Sequence, residues 1–217
     1  MQRIGILGGT FDPPHLGHLI LAEYAIEAFA LSHLLFVPAA DPPHKMNQEI
    51  ISIEHRLKML ELAVHSNANF SISRVDVDRP GPHYTVSMVQ IIQSQYPEAE
   101  LYFVMGGDSF ADLPNWDRPQ QLMQLAKLAI MRRPPENIYP SMHETVLPGL
   151  AERAVIINAP LLEISSTEIV NRLQYGMSVR YLVPQAVLAY ITAHEIYKHD
   201  NSRSATPTAS KTSTPDV

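Results

Sequence analysis

Two histidines stand close together near the start of the chain. The segment from residue 8 to residue 18 reads GGTFDPPHLGH, so that His15 and His18 are three residues apart where a helical pattern begins. Residues with this spacing share one face of a helix, and at its N-terminus they lie beside backbone amides and the positive end of the helix dipole. Imidazoles there can donate hydrogen bonds to phosphoryl oxygens as charge builds up in a transition state. The pair therefore predicts an anion site, with surface or capping histidines and metal ligands as the open alternatives.

Two glycines precede this pair. Gly8 and Gly9 follow the apolar run from Ile4 to Leu7, which is typical of a first strand. A glycine turn at the end of such a strand lets the backbone approach a ligand that a side chain would exclude. The spacing is neither that of a dinucleotide fingerprint nor that of a P-loop, since no Gly-Lys-Ser/Thr follows. The glycines alone are equally compatible with a generic tight turn.

Short apolar runs alternate with longer helical patterns along the rest of the chain. This alternation predicts an α/β fold with a Rossmann-like, doubly wound, mostly parallel sheet and helices at the C-terminal end. The predicted strands are Arg3 to Leu7, His33 to Pro38, Phe70 to Val77, Leu101 to Met105, Lys127 to Met131 and Arg153 to Asn158. The predicted helices are Leu16 to Ala30, Ser52 to His65, Val86 to Gln95, Arg118 to Leu125, Thr167 to Gln174 and Pro184 to Tyr197.

The charge and composition of the chain exclude several classes of protein and of site. The net charge of −6 argues against the broad basic surface that nucleic-acid binding normally uses. No apolar run approaches the roughly 20 residues of a membrane helix, and no secretory core follows Met1, so we expect a cytoplasmic protein without membrane partners. The absence of cysteine excludes disulfides, thiolate catalysis and cysteine-ligated metals. We expect one catalytic domain over residues 1–200 and a disordered Ser/Thr/Pro-rich tail over residues 201–217.

The segment from Gly8 to His18 resembles the signature of the nucleotidyltransferase superfamily that carries a His-x-Gly-His motif. Further segments resemble one branch of it, the bacterial nicotinate mononucleotide adenylyltransferases, over about residues 3 to 197. In chain order these segments are Pro42-Pro43-His44-Lys45, Gly106-x-Asp108, Leu113-Pro114-x-Trp116 and Ile164-Ser165-Ser166-Thr167, and Tyr84-Thr85 also matches the branch. The resemblance implies adenylyl transfer from ATP to nicotinate mononucleotide in NAD biosynthesis, by in-line attack that expels pyrophosphate without a covalent intermediate.

The resemblance also implies a role for each matched residue. His15, His18 and Lys45 would be catalytic contacts to the phosphates, and Mg²⁺ would accompany ATP without assigned protein ligands. The ATP site would comprise Gly8, Gly9, Thr10, Phe11, His18, Gly106, Asp108, Ile164, Ser165, Ser166 and Thr167. The pyridine mononucleotide would contact Thr85, Trp116 and Arg133.

Several of these residues also have a purely structural interpretation. Ser165 and Glu168 have the spacing of a helix capping box, and Asp108 could cap a helix instead of binding ribose. Trp116 could serve packing alone. One departure from the family pattern concerns a phosphate-binding arginine: Val170 stands where the family often has it, and the nearest arginine is Arg172.

Competing functions remain open from the sequence. A phosphopantetheine adenylyltransferase, an enzyme that prefers the amide mononucleotide or accepts both, and a non-catalytic nucleotide sensor share the fold. A metal-dependent hydrolase that uses His15, His18 and Asp108 belongs to a different class. A homo-oligomer is compatible with all of these.

Overall fold

Within the described residues, which are 1–40, 50–131, 138–160 and 162–198 of the computed structural model, six strands form one sheet. The strands are β1 (Arg3–Gly9), β2 (His33–Pro38), β3 (Phe70–Ile72), β4 (Glu100–Gly106), β5 (Ala126–Met131) and β6 (Ala154–Ile157). They are ordered β3-β2-β1-β4-β5-β6, and every neighbouring pair is parallel. The predicted fold class is therefore confirmed.

Helices connect the strands and extend the C-terminal end. They are α1 (Leu16–Phe29), α2 (Ile53–Val64), α3 (Thr85–Gln95), α4 (Gly107–Ala111), α5 (Pro119–Leu125), α6 (Leu150–Arg153), α7 (Ser166–Gln174) and α8 (Gln185–Ala193), with a 3-10 turn at Leu113–Asn115. Over the described ranges, no helix combines the length and the apolar character that crossing a bilayer requires.

The sheet has an apolar layer on each face. Because successive residues of a strand point to opposite faces, Leu7 packs with α1, α2 and α8, whereas Ile6 packs with α3 and α5. The chain leaves β1 toward β2 on one side and reaches β4 on the other, so the winding direction changes between β1 and β4. In open parallel sheets ligands bind outside the carboxyl ends of the strands at such a point.

Two predicted elements are shorter in the structure. The strand predicted to reach Val77 ends at Ile72, because residues 74–78 turn back on themselves with the Asp78 amide bonded to the Arg74 carbonyl. The helix predicted to reach Tyr197 ends at Ala193. Glu195 and Tyr197 adopt positive φ there, which is incompatible with a continued helix. A local turn therefore ends the strand where apolar periodicity alone continues.

The α8 helix ends early because the following residues are held against the loop after β1. The Tyr197 hydroxyl donates a hydrogen bond to the buried carboxylate of Asp12, which also accepts the Ile51 amide at 3.3 Å. Burial, reinforced by the charge of Asp12, raises the pKa of Tyr197, so that the phenol keeps its proton and donates it. This contact joins the C-terminal segment to the segment that carries the histidine pair.

Arg56, on α2, is the largest fully buried side chain of the described residues, with 2% of its surface exposed. Its guanidinium donates hydrogen bonds to the carbonyls of Thr10 at 2.9 Å and Ala39 at 2.8 Å, and to that of Ala40 at 3.2 Å. Burial lowers the pKa of this guanidinium, and the nearby charge of Asp12 opposes that shift. Arg56 therefore ties the loops after β1 and β2 to one helix.

Replacing this arginine should destabilise the whole domain. Arg56→Met leaves four backbone carbonyls, those of Thr10, Ala39, Ala40 and Ile51, without their donor and Asp12 without a nearby cation, so we expect a loss of about 3 kcal/mol or more in the free energy of unfolding. Urea denaturation followed by circular dichroism measures it. Lys58→Met, which removes an exposed cation from the same helix, is the control and should change stability by less than about 0.5 kcal/mol. Equal effects of the two substitutions would contradict the role of Arg56.

Candidate active site

Two cavities lie side by side at the carboxyl ends of the strands. The α1 cavity, of about 450 Å³, lies at the N-termini of α1 and α7 and includes His15 and His18. The α3 cavity, of about 400 Å³, lies at the N-terminus of α3 and the ends of β1 and β2. Both cavities share a wall formed by Gly8, Phe103, Ser109 and Trp116. Two ligands bound there would meet at this wall.

The histidine pair is a single stacked unit. The rings of His15 and His18 lie with centroids 3.6 Å apart and planes 21° apart, and the His15 amide donates to His18 Nδ1 at 3.2 Å. Since Nδ1 of His18 accepts this bond, the proton of the neutral ring is placed on Nε2. The backbone thus orients His18 as a donor from Nε2, which suits a phosphoryl oxygen.

Neighbouring residues fix the position of this pair. The Phe11 ring packs edge-on against His18, with centroids 5.0 Å apart, and the Phe11 backbone has φ of 51°, in the left-handed region. Such a conformation is unusual for an aromatic residue. A Cβ at Gly17 would lie 3.0 Å from His15 Nδ1, so a larger residue there would crowd the stacked ring. Phe11 and Gly17 therefore support the histidines by packing.

The N-terminus of α7 closes the other side of the α1 cavity. Ser165 is its N-cap and accepts the Glu168 amide at 3.1 Å, as the capping interpretation predicts. Ser166 donates to the Pro13 carbonyl at 2.9 Å, which attaches this helix to the loop before the histidines. Thr167 also lines the cavity. Helix N-termini favour anions, and α1 and α7 both begin at this cavity.

Residues at the end of β4 and the start of α4 line the α1 cavity and its wall with the α3 cavity. Gly106 is the last residue of β4 and the N-cap of α4, and it lines the α1 cavity with Asp108. Asp108 is the one carboxylate among the described residues that line this cavity. Ser109 follows on the wall between the cavities. A carboxylate in this position can accept hydrogen bonds from ribose hydroxyls.

The α3 cavity combines an aromatic wall with a helix N-terminus. Trp116 is partly buried and packs edge-on against Phe103, with ring centroids 6.0 Å apart. Tyr84 is the N-cap of α3, and Thr85 is its first residue. Gly9 and Thr10 line this cavity rather than the α1 cavity. An indole face beside free helix-start amides suits a flat ring that carries an anionic group.

Some residues predicted from the sequence lie elsewhere. Phe11 and Ile164 line neither cavity; the Phe11 side chain is buried behind His18, and the Ile164 Cβ is 3.6 Å from where a Cβ of Gly17 would lie. Lys45 and Arg133 fall outside the described residues. Arg172 lies in the last turn of α7, away from its cavity-facing start, and donates to the Ser178 carbonyl at 3.0 Å. Nothing in its position supports a phosphate contact.

Sequence reasoning missed five polar residues of the α3 cavity. The cavity is lined by Asp76, which was assigned to a strand, and by His83, Ser109, Asn115 and Asp117, which drew no attention. Ser109 directly follows the Gly106-x-Asp108 segment, which is the one signal that could have found it. Asp76 and His83 lie in a turn-rich loop with no local pattern that indicates a site.

Comparison with known proteins identifies similar chains. A model of the cytidylyltransferase-like family matches residues 6–172. A probable nicotinate-nucleotide adenylyltransferase of Thermomicrobium roseum is 44% identical over 198 residues, covering 91% of this chain and 92% of the relative. One of Roseiflexus is 42% identical, with coverages of 90% and 98%. The structure of Plasmodium falciparum nicotinic acid mononucleotide adenylyltransferase complexed with NaAD has a TM-score of 0.75 at 19% identity, covering 91% of this chain and 98% of that one, and supports the fold.

The bond between the His15 amide and the His18 ring predicts a defined tautomer. We expect neutral His18 to be protonated on Nε2, as ¹⁵N chemical shifts and long-range ¹⁵N–¹H couplings of the rings would report. His65 is the internal contrast, because its Nδ1 lies 3.1 Å from the Leu62 carbonyl, which can only accept. That ring should be protonated on Nδ1. Nδ1 protonation of His18 would contradict its orientation by the backbone.

Proposed function

The chain belongs to the cytidylyltransferase-like family, in the branch of the nicotinate-nucleotide adenylyltransferases, and we propose that it transfers the adenylyl group of ATP to nicotinate mononucleotide. The products are nicotinate adenine dinucleotide and pyrophosphate, in a step of NAD biosynthesis. The observation that carries the proposal is the pair of adjoining cavities with a shared wall at Gly8 and Ser109, beside the stacked histidines.

Each substrate suits one cavity. The α1 cavity combines two helix N-termini, the histidine pair and the serines of α7, which are groups that bind phosphates. We assign it to ATP, with Asp108 on the ribose. The α3 cavity offers an indole and a helix start to a pyridine ring with a carboxylate, so we assign it to the mononucleotide. The two phosphates would then meet at the shared wall.

This arrangement suits in-line transfer. A phosphate oxygen of the mononucleotide attacks the α-phosphorus of ATP, the new P–O bond forms, and the bond to the departing pyrophosphate breaks. Such a reaction asks the protein for positioning and charge stabilisation rather than for a nucleophile. His18, with Nε2 as its donor, and His15 would stabilise the negative charge that develops on the α-phosphoryl oxygens.

The acid form of the pyridine ring matches the N-terminus of α3. Tyr84 and Thr85 begin this helix in the cavity wall, where backbone amides and the dipole favour an anion. Trp116 provides the aromatic surface against which the pyridine ring can stack. A carboxylate only accepts hydrogen bonds, so both of its oxygens can bind backbone amides. A carboxamide has one accepting oxygen, and its NH2 group can only donate. These features together support the acid mononucleotide over the amide.

Mg²⁺ is proposed to enter with ATP. Among the residues that the structure describes, no three His, Asp or Glu side chains cluster so as to hold a metal. Mg²⁺ does not need such a cluster, because it is usually bound by substrate phosphates, water and at most one or two carboxylates. When bound, the ion neutralises part of the triphosphate charge and favours departure of pyrophosphate. Asp108 is the described carboxylate within the ATP cavity.

Other expectations from the sequence stay predictions. They are phosphate contacts from Lys45 and Arg133, a single catalytic domain over residues 1–200, a disordered tail beyond it and a cytoplasmic location. Lys45 and Arg133 lie outside the residues that the structure describes, so their roles rest on the resemblance of the sequence alone.

Pyrophosphate release by the purified protein tests the proposed function. With ATP and Mg²⁺, we expect release with nicotinate mononucleotide, less with nicotinamide mononucleotide, and none with phosphopantetheine, because the α3 cavity fits a flat anionic ring. No release with any of the three would overturn the proposal. ATP binding without turnover would instead favour a nucleotide sensor, and equal use of both pyridine nucleotides would favour a dual-specificity enzyme.

Removing the His18 ring should affect turnover more than binding. His18→Ala should lower kcat by about 100-fold or more with little change in either KM, because its hydrogen bond strengthens in the transition state. Steady-state kinetics with both substrates measures this. His65→Ala, which removes an exposed histidine at the end of α2, is the control. An unchanged kcat in His18→Ala would refute the catalytic role.

A further inference from the structure

The carboxylates that line the α3 cavity are paired with arginines. Two carboxylates line it, and each is paired with an arginine: Asp76 Oδ1 with Arg79 Nε at 3.0 Å, and Asp117 Oδ2 with Arg118 Nε at 2.8 Å. Of the described residues that line this cavity, His83 alone has a side chain that can carry positive charge. An anionic ligand in this cavity therefore has one candidate cation in the described wall.

One ring nitrogen of His83 has no hydrogen bond. The side chain is 12% exposed, and its buried Nδ1 makes no hydrogen bond, although it lies 3.6 Å from Asp76 Oδ1, within ion-pairing distance when the ring is protonated. Asp76 is already satisfied by Arg79 and by the Ala40 amide, which donates to Oδ2 at 3.2 Å. Buried polar atoms are normally hydrogen-bonded, so an imidazole that lacks such a bond calls for a functional explanation.

The backbone around His83 is held firmly in place. Arg79 donates to the Pro82 carbonyl at 2.7 Å and to the Tyr84 carbonyl at 3.4 Å, on either side of His83. Tyr84 is the N-cap of α3, so the imidazole is next to the helix start that faces the cavity. The Asp76–Arg79 pair thus positions both the imidazole and the α3 N-terminus.

We propose that His83 is a specificity-determining residue that favours the acid mononucleotide over the amide. This inference rests on the proposed function. The ring adds a hydrogen-bond donor, and when protonated a positive charge, to the wall that receives the pyridine carboxylate. The carboxamide is neutral and gains no charge attraction there. Preference for the acid then comes from a side chain as well as from the backbone amides of α3.

The test is His83→Gln, which keeps a polar side chain of similar size but cannot become charged. We expect the KM for nicotinate mononucleotide to rise about tenfold or more, and the preference for acid over amide in kcat/KM to fall by a similar factor. The kcat with the acid and the KM for ATP should stay within about twofold, since His83 lines only the α3 cavity.

The control is His33→Gln, which changes a histidine at the opposite end of the sheet, bonded to Ser71 Oγ at 2.6 Å. It should leave both KM values and the preference unchanged.

If the wild-type protein used neither mononucleotide, the proposed function would fail and this inference with it. If the wild type preferred the acid and His83→Gln kept that preference, the inference alone would be overturned. An equal rise in the KM for ATP, with a lower Tm, would show a merely structural role and overturn it too.

Discussion

The buried guanidinium of Arg56 is the interaction on which both cavities depend. By binding the carbonyls of Thr10, Ala39 and Ala40, it fixes the loops that leave β1 and β2 at the switch point of the sheet. A buried cation is costly unless its donors are satisfied, and here backbone oxygens and the nearby Asp12 satisfy it. The loop from Thr10 onward carries the histidine pair, so the geometry of this pair depends on the attachment of the loop to α2.

This acidic chain offers anionic ligands positive charge at helix N-termini rather than over its whole surface. The net charge is −6, yet the N-termini of α1, α3 and α7 all point to the same edge of the sheet. Each contributes a partial positive charge and backbone donors without adding basic residues to the surface.

A second buried network, around Asp76, shapes the α3 cavity. Asp76 joins the end of β2, through Ala40, to the loop that leads into α3, through Arg79. The Arg56 and Asp76 networks therefore meet at Ala40, whose carbonyl bonds to one and whose amide bonds to the other. The wall of the α3 cavity is consequently built from residues that are distant in sequence but share one short stretch of backbone.

The turn predicted at Gly8 and Gly9 is wrong, since both glycines belong to β1. The sequence by itself did determine the α/β alternation, the histidine pair at the start of α1 and the Ser165 cap. All of these depend on periodicity or on hydrogen bonds between residues a few positions apart. Only the tertiary structure decided that Asp76 and His83 line the same cavity as Trp116, and that α8 stops at Ala193. The first depends on how the connection between β3 and α3 meets the segment that follows β4. The second depends on Tyr197 reaching Asp12 across 185 positions of sequence, a distance at which no local pattern carries information.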